Sequence, residues 1–323
     1  MTGILLIQLG TPDAPTAAAL CPYLRQFLSD RRVIEVNPFI WWFVLNGFIL
    51  PFRPKASAAK YARIWDPVTG SPLLHFTKLQ TEQLAGKFPG TPVRFGMMIG
   101  NPPVGSVVNE MIATGVDRIV AFPMFPQYSA TTSASASDSL FKALMKVRRV
   151  PAVRFVPPYY AHPAYLDAVA GIVRDDFAKL PWEPEHVLIS FHGIPQAYAQ
   201  RGDPYATHVV RTTAGLVERM GWQREYWTQS YQSRFGKQPW LKPYTDDVLT
   251  ALAGRGVKRV AVVLPGFTAD CLETLDEIGR ESREVFERAG GERFRAVPCL
   301  NADPRWIDAV AAIVREEGRG WLD

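Results

Sequence analysis

Cysteine is scarce. Cys21, Cys271 and Cys299 are the only three in 323 residues, too few and too far apart for a disulfide framework or a Cys-x-x-Cys metal site, and a four-cysteine cluster is excluded by count. Long apolar runs are also missing: no window reaches the roughly 18 uncharged residues of a spanning helix. The first apolar run, Ile4 to Leu9, has no basic segment before it and stops at Gly10-Thr11-Pro12, too short for a signal peptide. Together these features point to a reducing cytosol. No Gly-x-Gly-x-x-Gly follows a strand and there is no Walker loop, which disfavours a nucleotide. No basic stripe interleaved with aromatics is found, which disfavours nucleic acid. The net charge of +5 leaves a mild bias toward anionic ligands or lipid surfaces.

What is present is an internal duplication. Leu5-Leu6-Ile7-Gln8-Leu9-Gly10-Thr11-Pro12 repeats as Leu188-Ile189-Ser190-Phe191-His192-Gly193-Ile194-Pro195, with Leu9 in the place of His192. Gly115 to Pro123 likewise reads like Gly256 to Pro265. With 47% apolar residues the chain has enough for two ordinary cores. Short β-branched runs predict strands at Ile4–Leu9, Val93–Ile99, Arg118–Pro123 and Val153–Val156, then at Val187–Phe191, Tyr226–Ser230, Arg259–Leu264 and Phe294–Leu300. Helical patterns lie between them, among them Pro72–Lys87, Tyr165–Ala178, Tyr205–Met220 and Leu272–Ala289, and Ala302–Glu317 forms a last helix. Strand alternating with helix specifies an α/β protein with two parallel sheets covered on both faces, the crossover falling near Pro157-Pro158. The first half alone contains an uncharged, almost wholly apolar stretch, Phe39 to Leu50, suited to lie on a membrane.

Chemistry is expected where parallel strands end. His192 ends one strand, just before Gly193 and Pro195. After another strand, a helix entered near Asp270 would align Glu273, Glu277 and Glu281 at i, i+4 and i+8, without lysines at the neighbouring positions that would pair a surface stripe. An imidazole facing carboxylates is a proton acceptor and a divalent-metal site. The hydroxyl-rich run Tyr128 to Ser135, with Ser129, Thr132 and Ser133, is dense enough to suggest a bound acidic group beyond a simple helix cap. The segment Tyr231 to Leu241 alternates aromatics and cations, including Arg234, Lys237 and Trp240, and suits a flat anionic ligand, although burial of Trp240 in the core is the default.

The ordered markers Leu9-Gly10-Thr11-Pro12, Gly70-Ser71-Pro72-Leu73, Pro126-Gln127-Tyr128-Ser129, Ser190-Phe191-His192-Gly193, Gln232-Ser233, Pro239-Trp240-Leu241 and Asp270-Cys271-Leu272-Glu273-Thr274-Leu275 make nearly the whole chain resemble ferrochelatase, of the bacterial, protoporphyrin type. The resemblance implies two similar Rossmann-like domains of the chelatase fold, each a four-stranded parallel sheet flanked by helices, with a porphyrin cleft between them. It places them at 1–156, with an apolar lip insertion at about 36–72, and at 157–301, with 302–323 packing back on the first. It implies a lyase that inserts Fe2+ into protoporphyrin IX, in the last step of haem synthesis. His192 and Glu273 would serve metal and proton removal, and Glu277 and Glu281 an acidic path. Leu9, Arg53, Tyr128, Ser129, Thr132, Ser133, Trp240 and Phe267 would hold the porphyrin, and Phe39, Trp41, Trp42, Phe43 and Phe48 would form a lip touching the membrane from the cytoplasmic side. An iron-donor protein is a further expected partner.

Two departures stand out. Ala130 occupies the place of a [2Fe-2S] ligand and there is no carboxyl-terminal cysteine group, so no cluster is expected. Met98 stands where relatives often have Arg or Lys. Two rival readings are a chelatase for another metal or tetrapyrrole, such as cobalt or a coproporphyrin, and a haem or porphyrin carrier without turnover.

Overall fold

Ile4, Leu5, Leu6 and Ile7 are almost entirely without exposure, as are Val187, Leu188, Ile189 and Phe191. Runs apolar on both faces suit only the middle strand of a sheet covered above and below. The computed structural model, which describes residues 1–236 and 238–322, puts both runs there. β1 (Thr2–Thr11), β2 (Val93–Gly100), β3 (Arg118–Pro123) and β4 (Ala152–Phe155) form one parallel sheet in the order β2-β1-β3-β4. β5 (His186–His192), β6 (Trp227–Gln232), β7 (Arg259–Val263) and β8 (Arg293–Ala296) form the other, in the corresponding order β6-β5-β7-β8. Strand β8 stops short of the expected Leu300, and Val297, Cys299 and Leu300 are buried beyond its end.

The duplication extends to backbone detail. Gly10 has φ +115, and a Cβ there would stand 1.7 Å from the Ile99 carbonyl oxygen. At Gly193 the same construction meets the Gln232 carbonyl oxygen at 3.0 Å. In both halves the residue after Leu9 or His192 lies against a neighbouring strand too closely for a side chain to be added freely.

The chain divides into two compact units, Met1–Phe125 with Ser129–Pro158 and Val310–Asp323, and Pro126–Tyr128 with Tyr159–Ala309. The last helix, Pro304–Glu317, therefore contributes its second half to the first unit. Arg154 there donates to the carbonyls of Glu317 and Arg319 at 3.0 and 2.8 Å and stacks on Trp321. Thr2 Oγ1 donates to Trp321 O at 2.8 Å, and Arg315 donates to Lys87 O at 2.9 Å.

The apolar stretch of the first half is helical, as Pro38–Val44, a π-helical turn Leu45–Ile49, and Leu50–Ile64. Phe39, Ile40, Trp42, Phe43, Phe48 and Phe52 are all exposed, Phe39 by 73%. Trp41 differs from the rest of the expected lip. It is half-buried and its Nε1 donates to Leu28 O at 2.6 Å, because an indole turned inward needs an acceptor. No helix among the described residues is long and apolar enough to cross a membrane.

Candidate active site

His192 is the last residue of β5, the second strand of its sheet and the one from which the chain crosses to opposite sides. That is the switch point where an open α/β sheet presents ligands. Its Nδ1 lies 2.6 Å from Gly193 O. A carbonyl cannot donate, so Nδ1 carries a proton, and the neutral form of the ring with that tautomer presents Nε2 as an acceptor. Tyr205 OH donates to His192 O at 2.9 Å and fixes the strand end. The Trp240 ring lies 6.4 Å from the imidazole, tilted by 52°. Trp240 is nearly buried, and its Nε1 donates to Phe235 O at 2.9 Å, which sets the ring plane.

Behind His192 lies a buried polar chain that sequence reasoning did not assemble. Ser190 Oγ donates to Gln232 Oε1 at 3.0 Å, and Gln232 Nε2 donates to Glu273 O at 3.1 Å. Thr245 Oγ1 lies 2.9 and 3.0 Å from the hydroxyls of Ser190 and Ser230. Ser190 and Gln232 were visible as markers, whereas Thr245 carries no local signal because a buried threonine at a helix start reads as packing. The chain joins the tips of β5 and β6 to the start of the acidic helix.

That helix is not the α-helix expected over Leu272–Ala289. Glu273–Ser282 is π-helical, and only Arg283–Arg288 continues as α. Its i→i+5 bonding takes up more residues per turn, so carboxylates four apart stay near one line. The entry is clamped: Asn301 Nδ2 donates to Asp270 Oδ2 at 2.6 Å, Asp270 N donates to Asn301 Oδ1 at 2.8 Å, and Thr274 Oγ1 donates to Asp270 Oδ1 at 2.8 Å. Glu277 accepts from Ser233 N and Ser233 Oγ, both at 2.6 Å. Burial raises its carboxyl above the ordinary range and the Glu273 charge adds to this, while Ser233 and the nearby His192 oppose it. His192, Glu273 and Glu277 thus lie within electrostatic reach of one another. Cys271, buried beside Glu273, is held as a thiol by burial and by that charge.

Glu281 behaves differently from the expectation. Arg280, its immediate neighbour, binds Glu281 at 2.8 Å, Asp276 at 2.8 Å and Glu284 at 2.9 Å. The outer end of the acidic line is therefore charge-compensated. Among the described residues no three His, Cys, Asp or Glu side chains are placed to hold a metal ion together.

The hydroxyl run makes several local bonds. Ser129 Oγ accepts from Thr131 N at 3.3 Å as a helix cap, Thr132 Oγ1 donates to Ser129 O at 3.4 Å, and the Ser133 backbone carbonyl accepts from Ser137 Oγ at 3.0 Å. Two of the three expected hydroxyls, those of Ser129 and Thr132, thus have local partners. Phe267 packs against the core cluster of Leu264 and Cys299, which is where a half-buried ring beside a strand end finds most contact. Leu9 is half-buried at the tip of β1, Arg53 is exposed on Leu50–Ile64, and Met98 is buried.

Tyr128 is set by contacts the sequence did not reveal. His208 Nδ1 accepts from Tyr128 N at 3.1 Å, and the His208 ring stacks on Tyr160 at 3.8 Å. Gln127 donates to Thr212 Oγ1 at 3.0 Å and to Tyr165 OH at 3.4 Å, and Tyr165 OH donates to Pro265 O. The segment before Tyr128 is thereby tied to the loop that follows β7.

Two parallel sheets of matching order, with a histidine and carboxylates at one switch point, define a chelatase-type α/β protein. The chain resembles SirB from Bacillus subtilis with Fe3+, at TM-score 0.59 and 14% identity over 100% of this chain and 98% of that one. It also resembles CbiX, described as the terminal enzyme for biosynthesis of sirohaem in denitrifying bacteria, at TM-score 0.54 and 14% identity over 97% and 98%. At that identity the likeness speaks for the fold alone. The chain belongs to the ferrochelatase family, whose model, described as Ferrochelatase, matches residues 1–318. Relatives named ferrochelatase include those of Mesorhizobium japonicum, 50% identical over 99% of this chain and 92% of the relative, and of Bradyrhizobium diazoefficiens, 44% identical over 99% and 94%.

Proposed function

We propose that this chain inserts ferrous iron into protoporphyrin IX to give protohaem, the last step of haem synthesis, acting as a lyase that forms nitrogen–metal bonds. Family membership over nearly the full length supports the reaction. The observation that carries the mechanism is the tautomer of His192, whose Nδ1–H is spent on Gly193 O so that Nε2 is left to accept a proton.

In the net reaction two pyrrole N–H bonds break, two protons leave, and Fe2+ takes their place on the four nitrogens without change of oxidation state. His192 Nε2 accepts a pyrrole proton, and the imidazolium so formed is stabilised by Glu277 and Glu273. Glu277, already inclined to hold a proton by its burial, receives it in turn. Glu273 is the acidic partner at the metal, which it and His192 hold only in transit. Glu281, paired with Arg280, lies at the end of the path rather than in its working part.

Trp240, Leu9 and Tyr128 bear on the faces of the macrocycle, with Phe267 supporting from the core side. Arg53 and the hydroxyls of Ser129, Thr132 and Ser133 are secondary contacts. No resident iron–sulfur cluster takes part, in keeping with three scattered cysteines of which Cys271 and Cys299 are buried. Phe39, Trp42, Phe43 and Phe48 form a lip that touches the inner face of the membrane from the cytoplasm.

The deciding experiment is anaerobic insertion of Fe2+ into protoporphyrin IX by the wild type and by His192→Ala, with porphyrin affinity measured alongside. Loss of about 100-fold or more in turnover with binding retained is expected for removal of the acceptor. Wild-type-like turnover by the variant would defeat the role of His192, and a wild type that binds porphyrin without metallating it would make the chain a carrier.

A further inference from the structure

The buried polar chain behind His192 has a direction, fixed by the group at its end. The Glu273 carbonyl can only accept, so Gln232 turns its Nε2 toward it, at 3.1 Å, and its Oε1 toward Ser190. Ser190 Oγ spends its proton on that Oε1, at 3.0 Å, and so accepts from Thr245 at 2.9 Å. Thr245 Oγ1, its own proton spent, accepts from Ser230 at 3.0 Å. Each of the three hydroxyls therefore has a single orientation, and the run ends at the start of the acidic helix.

Packing does not call for these groups. Ser190 and Ser230 are register partners on β5 and β6, and His192 and Gln232 are the next pair on the same face. Two residues earlier on that face, Leu188 packs with Leu249 and Leu252 in an apolar core. Ser190, Ser230, Thr245 and Gln232 are all buried. Apolar side chains of the same shape would fill this space at little cost, whereas the hydroxyls hold an amide in one pose.

That amide lies between the reacting groups. The Gln232 backbone carbonyl accepts from Gly193 N at 2.8 Å, Gly193 O accepts from His192 Nδ1, and the Gln232 side chain holds Glu273. Thr245 opens the helix Thr245–Gly254, which is fastened to β6 where Tyr231 N donates to Pro243 O at 2.9 Å. Asp246, beside it, accepts from Ser282 Oγ at 2.9 Å, at the last residue of the π-helical segment. One helix start thus grips the acidic helix at both ends, directly at the far end and through Ser190 and Gln232 at the near end.

We propose that Thr245 is a positioning residue for metal insertion: by holding Ser190, and through it the Gln232 amide, its hydroxyl sets the placement of Glu273 against His192. This rests on the reading of the chain as a porphyrin-metallating enzyme, and it extends that reading to a buried side chain three hydrogen bonds from the Glu273 carbonyl. Without the hydroxyl, Ser190 can turn to its cross-strand partner Ser230, and the amide loses its fixed donor.

The test compares anaerobic insertion of Fe2+ into protoporphyrin IX by the full-length wild type, Thr245→Val, Thr245→Ser, Ser190→Ala and Ser190→Ala/Thr245→Val. Thr245→Val keeps the shape and is expected to lower kcat about tenfold with KM for porphyrin within about twofold, the mark of a lost reacting geometry. Thr245→Ser keeps the hydroxyl and should return kcat to within about twofold of wild type. On the Ser190→Ala background, Thr245→Val should add no further loss, because both act through one bond. An unchanged kcat in Thr245→Val, an equal loss in Thr245→Ser, or losses that multiply in the double variant overturn the proposal. Hydrogen exchange over residues 271–278, measured without metal or porphyrin, gives a second readout: Thr245→Val should speed it about tenfold and leave β1 unchanged. Unchanged exchange there, or equal acceleration throughout the chain, also overturns the role of Thr245. This arm does not depend on turnover, so a wild type that fails to metallate porphyrin defeats the functional reading alone.

Discussion

Ser233 holds Glu277 twice, through its backbone N–H and its hydroxyl, each 2.6 Å from a different carboxylate oxygen. It does so from a left-handed conformation, φ +66, uncommon for a residue with a side chain. The turn at the end of β6 is thus shaped to stabilise an anion inside the unit.

Glu277 sets stability against activity. Its pKa is raised in the folded protein, chiefly by burial, so the folded state prefers the protonated form. Its favourable contribution is complete below the ordinary carboxylate range and is lost as pH rises through the raised value. Glu277→Gln should therefore melt higher than wild type at pH 8, with the difference disappearing on acidification, while turnover falls. Thermal melts across pH and steady-state assays check both halves. A variant less stable than wild type at pH 8 would contradict the sign.

Ser233→Gly tolerates the positive φ and removes only the hydroxyl, so the fold should survive with Glu277 raised further. The acid limb of the rate profile should then move to higher pH. Ser233→Ala loses the same bond but keeps the Cβ, and with it the strain of the positive φ that glycine relieves, so it should be less stable than the glycine variant by about 1 kcal/mol.

His208 should make the Tyr128 segment sensitive to acid. Its pKa is lowered below 6.5, first by burial and also by Arg211, with Asp203 opposing. The stability it contributes is present above its unfolded value and lost as pH falls through the lower folded value, where protonated Nδ1 no longer accepts from Tyr128 N. His208→Asn, whose amide oxygen can accept the same bond, should flatten this dependence below about pH 6.5. KM for porphyrin against pH, measured for both proteins, is the readout. Parallel profiles would remove His208 as a positioning residue.

The lip gives a surface prediction. Phe39→Ser/Trp42→Ser/Phe48→Ser alters side chains exposed by 73%, 59% and 71%, so the melting temperature should barely move. Flotation with anionic liposomes should be lost. Trp41→Ser should do the reverse, costing about 1–3 kcal/mol through its inward indole and the Leu28 carbonyl left behind. Failure of the wild type to float would end the membrane proposal.

Eight strands and their two sheets were legible because β-branched runs buried on both faces leave an unmistakable composition, and the paired stops at Gly10 and Gly193 mark equivalent strand tips. His192 and the spacing of Glu273 and Glu277 were legible for a related reason: chemistry at a strand end interrupts an apolar pattern. The π-helix was not, since its apolar spacing is close to that of an α-helix, and Asp270, Thr274 and Asn301, which clamp its entry, read singly as ordinary caps. The pairing of Arg280 with Glu281 was not legible because paired charges on a helix stand three or four positions apart, whereas a guanidinium reaches its immediate neighbour as well. The supports from Tyr205, His208 and Gln127 are contacts between segments distant in sequence, and no local pattern announces them.

The residues that Arg154, Thr2 and Lys87 hold follow every strand of both sheets in the chain, yet they belong to the unit whose strands are made first. Until they emerge, the faces that receive Val310, Ala311 and Val314 stand open to water or to chaperones. Vectorial synthesis therefore cannot finish the amino-terminal half ahead of the other, and loss of the helix that carries Val310 and Val314 would be felt first in the strands made earliest.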